Sequence, residues 1–162
     1  MKNIKNKKGG CRREGFTLIE ILIVIGLIAI LAATVLIAIN PSRQFKLARD
    51  SQRTANVTAI INAIGQNISE NSGSFKCSGA VTAFPATSTI IKSASSTGGF
   101  DLAYCVVPTY LASLPFDPSK TGAHFVSVSD YDTGYRVSVD VNGRITVSAD
   151  GEVSSSTISV TR

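Results

Sequence analysis

Three groups of residues in this 162-residue chain are of a type and spacing that could do chemistry. The first is a single acid, Glu20, the one charged residue in the apolar run 16–39. A carboxylate in hydrocarbon costs about 2.5–3.5 kcal/mol, so a group placed there needs a partner. The second is a pair of thiols, Cys77 and Cys105, set 28 positions apart. The third is Asp130-Tyr131-Asp132-Thr133-Gly134, which puts carboxylates at Asp130 and Asp132 in what reads as a loop before a strand. Calcium favours such oxygen-rich loops, but the full EF-hand pattern is absent, and a solvated turn is the rival reading. His124 is the sole histidine and sits beside Phe125, the setting of a packing residue. Two isolated cysteines and one histidine do not make a zinc set. No serine has a base in view, and no Gly-rich phosphate loop occurs. The chain therefore reads as non-enzymatic, with no catalytic residues and no cofactor beyond the calcium option.

The elements that hold these groups begin with the apolar run. At ~1.5 Å per helical residue, residues 16–39 make a rod of roughly 36 Å, enough to cross a hydrocarbon core of about 30 Å. Before it lies a basic leader, residues 1–15. The formal net charge is +5, but the leader carries six of the 16 basic residues and one of the 11 acidic ones, leaving ten of each. The excess is thus topological, holding the leader in the cytoplasm and sending the rest across the membrane. The remainder shows no basic patch, so nucleic acid has no electrostatic support as a partner.

At the junction, Gly15, Phe16, Thr17, Leu18, Ile19 and Glu20 resemble the prepilin processing site of the type IV pilin and pseudopilin family. The resemblance implies a cut between Gly15 and Phe16 by a prepilin peptidase, methylation of the new amino terminus, and Glu20 fifth in the mature chain. It also implies a partner for Glu20, the freed amino group of Phe16 on a neighbouring subunit. Two other readings compete. A secretory signal peptide would be cut near Ala32 or Ala33, but its apolar region is ~7–15 residues, far shorter than this run. A plain membrane anchor gives no reason for Gly15, Phe16 or Glu20. Cys11 precedes the run, which excludes lipoprotein processing.

Within the run, Gly26, Ala29, Ala32 and Ala33 form a small-residue stripe suited to close helix packing. Pro41 removes a backbone hydrogen bond and clashes with the Ile37 carbonyl, which predicts a kink or an unwound turn. The rival is one helix ending at Ile39 and a second starting after Pro41. Residues 40–71 then read as an amphipathic continuation. Val57, Ile60, Ile61, Ile64 and Ile68 share one face, and Ala48 and Ala55 extend it backward. Lys46 with Asp50, and Asp50 with Arg53, are ion pairs of a few tenths of a kcal/mol. Asn71-Ser72-Gly73 stops the helix.

Residues 72–162 read as an extracytoplasmic head. On the oxidising side of a membrane, Cys77 and Cys105 form one disulfide, worth roughly 2–4 kcal/mol; two buried free thiols are the alternative. Residues 72–122 show little periodicity, and residues 93–99 read as an exposed loop. Leu114-Pro115-Phe116-Asp117-Pro118 is similar to a turn found in many pseudopilins. Strands follow at 125–129, at Tyr135, Val137 and Val139, at Ile145, Val147 and Ala149, and at Ile158 and Val160. Asn142-Gly143 suggests a two-residue hairpin, but that would set apolar groups on opposite faces. A three-residue loop of Val141, Asn142 and Gly143 puts Val139 on Ile145 and Val137 on Val147, with Gly143 in a left-handed bulge. Asn56 and Asn67 begin glycosylation sequons inside the expected helix and read as chance.

The expected fold class is α+β, a long N-terminal helix, half membrane and half amphipathic, packed on a small antiparallel β-sheet. The expected function is a structural subunit of a type IV pilus-like or secretion-system pseudopilus filament. Its partners are identical or related subunits, the prepilin peptidase and an inner-membrane assembly platform. It is stored as a single-pass protein of the cytoplasmic membrane and then becomes part of an extracellular or periplasmic filament. The alternative is a monomeric, membrane-anchored extracytoplasmic binding module.

Overall fold

In the computed structural model the described residues are 15–94, 96, 98–153 and 156–162. The leader up to residue 14, including Cys11, lies outside them, as do two positions of the expected loop 93–99. The chain divides into two compact units, Met1–Pro41 and Ser42–Arg162.

The first unit holds one helix, α1 (Leu18–Ala38). Thr17 caps its start with an extended backbone, and Ile39 leaves its end with φ −98° and ψ 112°. A second helix, α2 (Pro41–Glu70), opens at the proline. At the position where the sequence predicts a kink or an unwound turn, two helices are separated by Ile39 and Asn40. The reason is local: proline biases the residue before it away from helical geometry, yet fits the first position of a helix, where no donor is needed.

The second unit is built on α2 and a six-stranded sheet. The strands are β1 (Lys76–Cys77), β2 (Ala80–Val81), β3 (Thr89–Lys92), β4 (Gly99–Phe100), β5 (His124–Ser127), β6 (Asp130–Val139), β7 (Ile145–Asp150) and β8 (Thr157–Thr161), with a short helix α3 (Ala103–Val106). The main sheet runs β4-β3-β6-β7-β8, with β5 also paired to β6, while β1 and β2 form a separate hairpin. All pairs are antiparallel except β3 with β4, so the sheet is mixed. Val57, Ile60, Ile61 and Ile64 of α2 join Ile91, Tyr131, Tyr135, Val137 and Val147 of the strands in one buried core. The class is α+β.

The β6–β7 register matches the parity argument: Val137 faces Val147 and Val139 faces Ile145. The Gly143 amide donates to the Asp140 carbonyl at 3.0 Å, and the Asp140 amide to the Arg144 carbonyl at 2.9 Å. With Gly143 at φ +79°, this is the three-residue turn and bulge. At the end of α2, Ser72 and Gly73 take φ 56° and 87°, and the Gly73 amide donates to the Ile68 carbonyl at 2.9 Å.

Several expectations need correction. Ala48 and Ala55 are exposed, and the buried stripe is continued backward by Arg53 instead. Asp50 bonds Arg53 and the amides of residues 152 and 153; among the described residues no ion pair joins it to Lys46. Ser93, placed in an exposed loop by its composition, is buried and donates its amide to the Tyr131 carbonyl at 3.0 Å. The β6 strand begins five residues earlier than the alternation suggested, so Asp130 and Asp132 lie in a strand and not in a loop.

Candidate functional site

The N-terminal segment is exposed along its whole described length. Phe16 is 78 % and Ile37 87 % exposed, and every large apolar side chain between them is uncovered. Leu18–Ile37 is a 20-residue span of mean hydropathy 2.9. At ~1.5 Å per residue the 21 residues of α1 extend about 31 Å, the thickness of a hydrocarbon core. A surface this apolar is not stable in water and needs lipid or other helices around it. Glu20 sits in the first turn of the helix, exposed, with its amide donating to the Thr17 hydroxyl at 3.2 Å. Gly15, Phe16 and Thr17 precede the helix.

In the second unit, charge gathers around α2. The Arg53 side chain is 3 % exposed and donates Nε and Nη2 to the two carboxylate oxygens of Asp117, at 2.7 and 2.9 Å. Its Nη1 reaches Asp50 Oδ1 at 2.7 Å, and its Nη2 reaches Glu152 Oε1 at 2.7 Å. Arg49 Nε donates to Glu152 at 2.9 Å. The backbone closes the network. The amides of Glu152 and Val153 donate to Asp50 at 2.9 and 3.0 Å, and those of Ser119 and Lys120 donate to Asp117, both at 2.9 Å.

The electrostatics follow from these contacts. Hydrogen bonds to Asp117 raise the Arg53 guanidinium pKa against the opposing effect of burial. Burial pushes the Asp117 carboxyl up, but Arg53 and the Ser119 amide outweigh it and leave it below its ordinary value. Asp50 behaves alike, burial raising it and the Glu152 and Val153 amides pulling it lower. Bonds from Arg49 and then Ser119 hold Glu152 far below the carboxylate range. The cluster ties one stretch of α2 to the turn at 117–120 and to the loop after β7. It is a clamp, with its polar groups engaged by one another.

Residues 11–36 match the prokaryotic N-terminal methylation motif. The chain carries a prepilin leader signature. This motif marks pilins and pseudopilins, structural proteins as opposed to an enzyme family, and it spans the Gly15-Phe16 junction and most of α1. Comparison with curated proteins and with solved structures returns no match. The prepilin signature and the exposed apolar helix fit a membrane-anchored pilin.

Of the sequence-derived sites, Gly15, Phe16 and Glu20 fall together at the prepilin junction. Pro41 begins α2. Cys77 and Cys105 are joined in a disulfide with Cα atoms 4.4 Å apart, linking β1 to α3. Asp130 Oδ1 lies 3.1 Å from His124 Nε2, and Asp132 Oδ1 accepts the Gly134 amide at 2.8 Å. The Gly122 carbonyl and then Asp130 raise the His124 pKa. Calcium takes six to eight oxygens. Here both carboxylates already have partners, and among the described residues no three His, Cys, Asp or Glu side chains converge. Asn67 is buried, its amide group donating to the Lys76 carbonyl at 2.8 Å, so its sequon is structural.

Sequence reasoning missed Asp117 and Glu152 as partners of Arg53, and Arg49 as the second cation on Glu152. A signal existed for one of them. Arg53 lies four residues before Val57, on the buried stripe, and a buried arginine must find a carboxylate. It also missed Tyr131, whose hydroxyl accepts the Leu102 and Ala103 amides at 2.8 and 3.1 Å and donates to Asp101 at 2.8 Å.

Proposed function

We propose that this chain is a structural subunit of a type IV pilus-like or pseudopilus filament, stored in the cytoplasmic membrane and polymerised through α1. The observation that carries the reading is the methylation motif lying directly on a fully exposed apolar helix. Hydrolysis of the peptide bond between Gly15 and Phe16 by a prepilin peptidase leaves a carboxylate on Gly15 and an amine on Phe16, which then receives a methyl group from a methyl donor. Residues 1–15 are the removed leader, 16–39 the membrane and filament-core segment, and 40–162 the extracytoplasmic part. Glu20 pairs with the Phe16 amine of a neighbouring subunit. That pairing neutralises two charges in an apolar setting and fixes the axial register. Gly26, Ala29, Ala32 and Ala33 permit close helix contact in the filament core. Heterologous contacts of this kind do not close, so they propagate. An assembly platform in the inner membrane supplies subunits to the growing end.

Intact mass and N-terminal sequencing of the protein from its native membrane test this directly. A chain starting at Phe16 and carrying one added methyl group supports the proposal. A chain starting at Met1 in cells that contain the peptidase, or one starting near Thr34, overturns it.

A further inference from the structure

The start of α1 is held by a set of contacts that bears on the cleavage step. Thr17 has φ −79° and ψ 150°, outside helical geometry, and its Oγ1 accepts the Glu20 amide at 3.2 Å. The Ile21 amide donates to the Thr17 carbonyl at 3.3 Å, so helical bonding begins at Thr17 and no earlier. Phe16, one residue before the cap, and Ile21, the fourth helical residue, line one recess with Leu22 and Ile25. A hydroxyl cap, an acid three residues on and an apolar pair flanking them are the parts of a capping box and hydrophobic staple, which fix how a chain enters a helix. Upstream, Gly15 and Phe16 are exposed and non-helical, and a side chain built on Gly15 would meet nothing within 4 Å.

The cap settles a competition for one donor. The Glu20 amide can bond the Thr17 hydroxyl, or it can bond the Phe16 carbonyl four residues back and carry the helix into Phe16. Near the apolar core an unmade bond is costly, so the donor takes one acceptor or the other. With the hydroxyl present, the backbone groups around the bond between Gly15 and Phe16 stay outside the helical ladder. They are then available to an enzyme that binds its substrate as an extended strand. We infer that Thr17 is a positioning residue for prepilin cleavage, its hydroxyl ending α1 just short of the scissile bond and keeping that bond outside the helix. This rests on the processing step proposed above.

The test uses the full chain in membrane vesicles containing a prepilin peptidase and measures the rate at which the leader is lost. Thr17→Val keeps the shape and removes the acceptor; Thr17→Ser and Thr17→Asn change the shape and keep an acceptor. Loss of the cap predicts a rate about fivefold lower for Thr17→Val, the equivalent of about 1 kcal/mol. Thr17→Ser and Thr17→Asn retain rates within about twofold of wild type, as their cap strengths require. Thr17→Val cleaved as fast as wild type overturns the inference alone, as does a rate order that follows side-chain shape. Wild type left uncut overturns the processing step, and the inference with it.

Discussion

Arg53 and Asp117 stand 64 positions apart in the sequence and meet through two parallel hydrogen bonds, Nε to Oδ2 at 2.7 Å and Nη2 to Oδ1 at 2.9 Å. The pair gives the Leu-Pro-Phe-Asp-Pro turn a physical role. Its aspartate fastens the loop to α2, while its own oxygens order the turn through the Ser119 and Lys120 amides.

Removing the arginine leaves the Asp117 carboxylate buried beside two others. Arg53→Met is expected to destabilise the second unit by about 3–5 kcal/mol. Adding Asp117→Leu to it should recover much of that loss, because a buried pair replaced by apolar groups is far less costly than a pair half removed. Urea unfolding of the full chain in detergent, followed by near-UV circular dichroism, reads this out. All four tyrosines lie in the second unit.

Acid should undo the same clamp. Asp50 and Asp117 are held below their ordinary values in the folded chain. The unfolded chain therefore takes up protons first as pH falls through about 4. Their stabilisation is fully present above that point and is lost as pH drops further, through the folded values. Melts between pH 7 and pH 5 should change little on this account, with a steep fall beginning below about pH 4. The Arg53→Met chain should show a shallower acid dependence.

The disulfide joins cysteines 28 positions apart, one in β1 and one in α3. Replacing both cysteines, Cys77→Ser with Cys105→Ser, is expected to cost roughly 2–4 kcal/mol in the same unfolding assay. Expression in a reducing compartment should reproduce the effect in the unsubstituted chain.

Gly65 lies inside α2 with no positive φ, and a side chain there would meet nothing within 4 Å. Gly65→Ala should stabilise the helix by about 0.5–1 kcal/mol. An unchanged or lowered unfolding midpoint would mean that the space beside Gly65 is not open in solution.

The parts of this fold that could be read in sequence were those where periodicity has one meaning. The Ile60, Ile61 and Ile64 stripe required a helix face, and the alternation of Val137, Val139, Ile145 and Val147 set both the register and the turn length. The parts that could not be read were those where the pattern changes character partway. The buried face of α2 switches from apolar at Val57 to ionic at Arg53, so extending it through alanines followed hydrophobicity past the point where hydrogen bonds take over. The first half of β6 carries Asp130, Asp132 and Gly134, turn residues by composition. It is a strand because β5 and β3 pair with it. β3 is four residues in a serine- and threonine-rich stretch, and only its partner in the sheet defines it. The prepilin junction was legible as a motif, but its cap was not read from Thr17 and Glu20, although their spacing of three is that of a capping box.

The central claim is that α1 builds a filament through Glu20. The most direct measurement compares filament yield by electron microscopy from wild type and Glu20→Gln, at equal membrane insertion and equal leader removal. The account predicts that Glu20→Gln blocks or misorders assembly while the protein stays in the membrane and keeps its fold. Equal yields of ordered filaments from the two chains would contradict it.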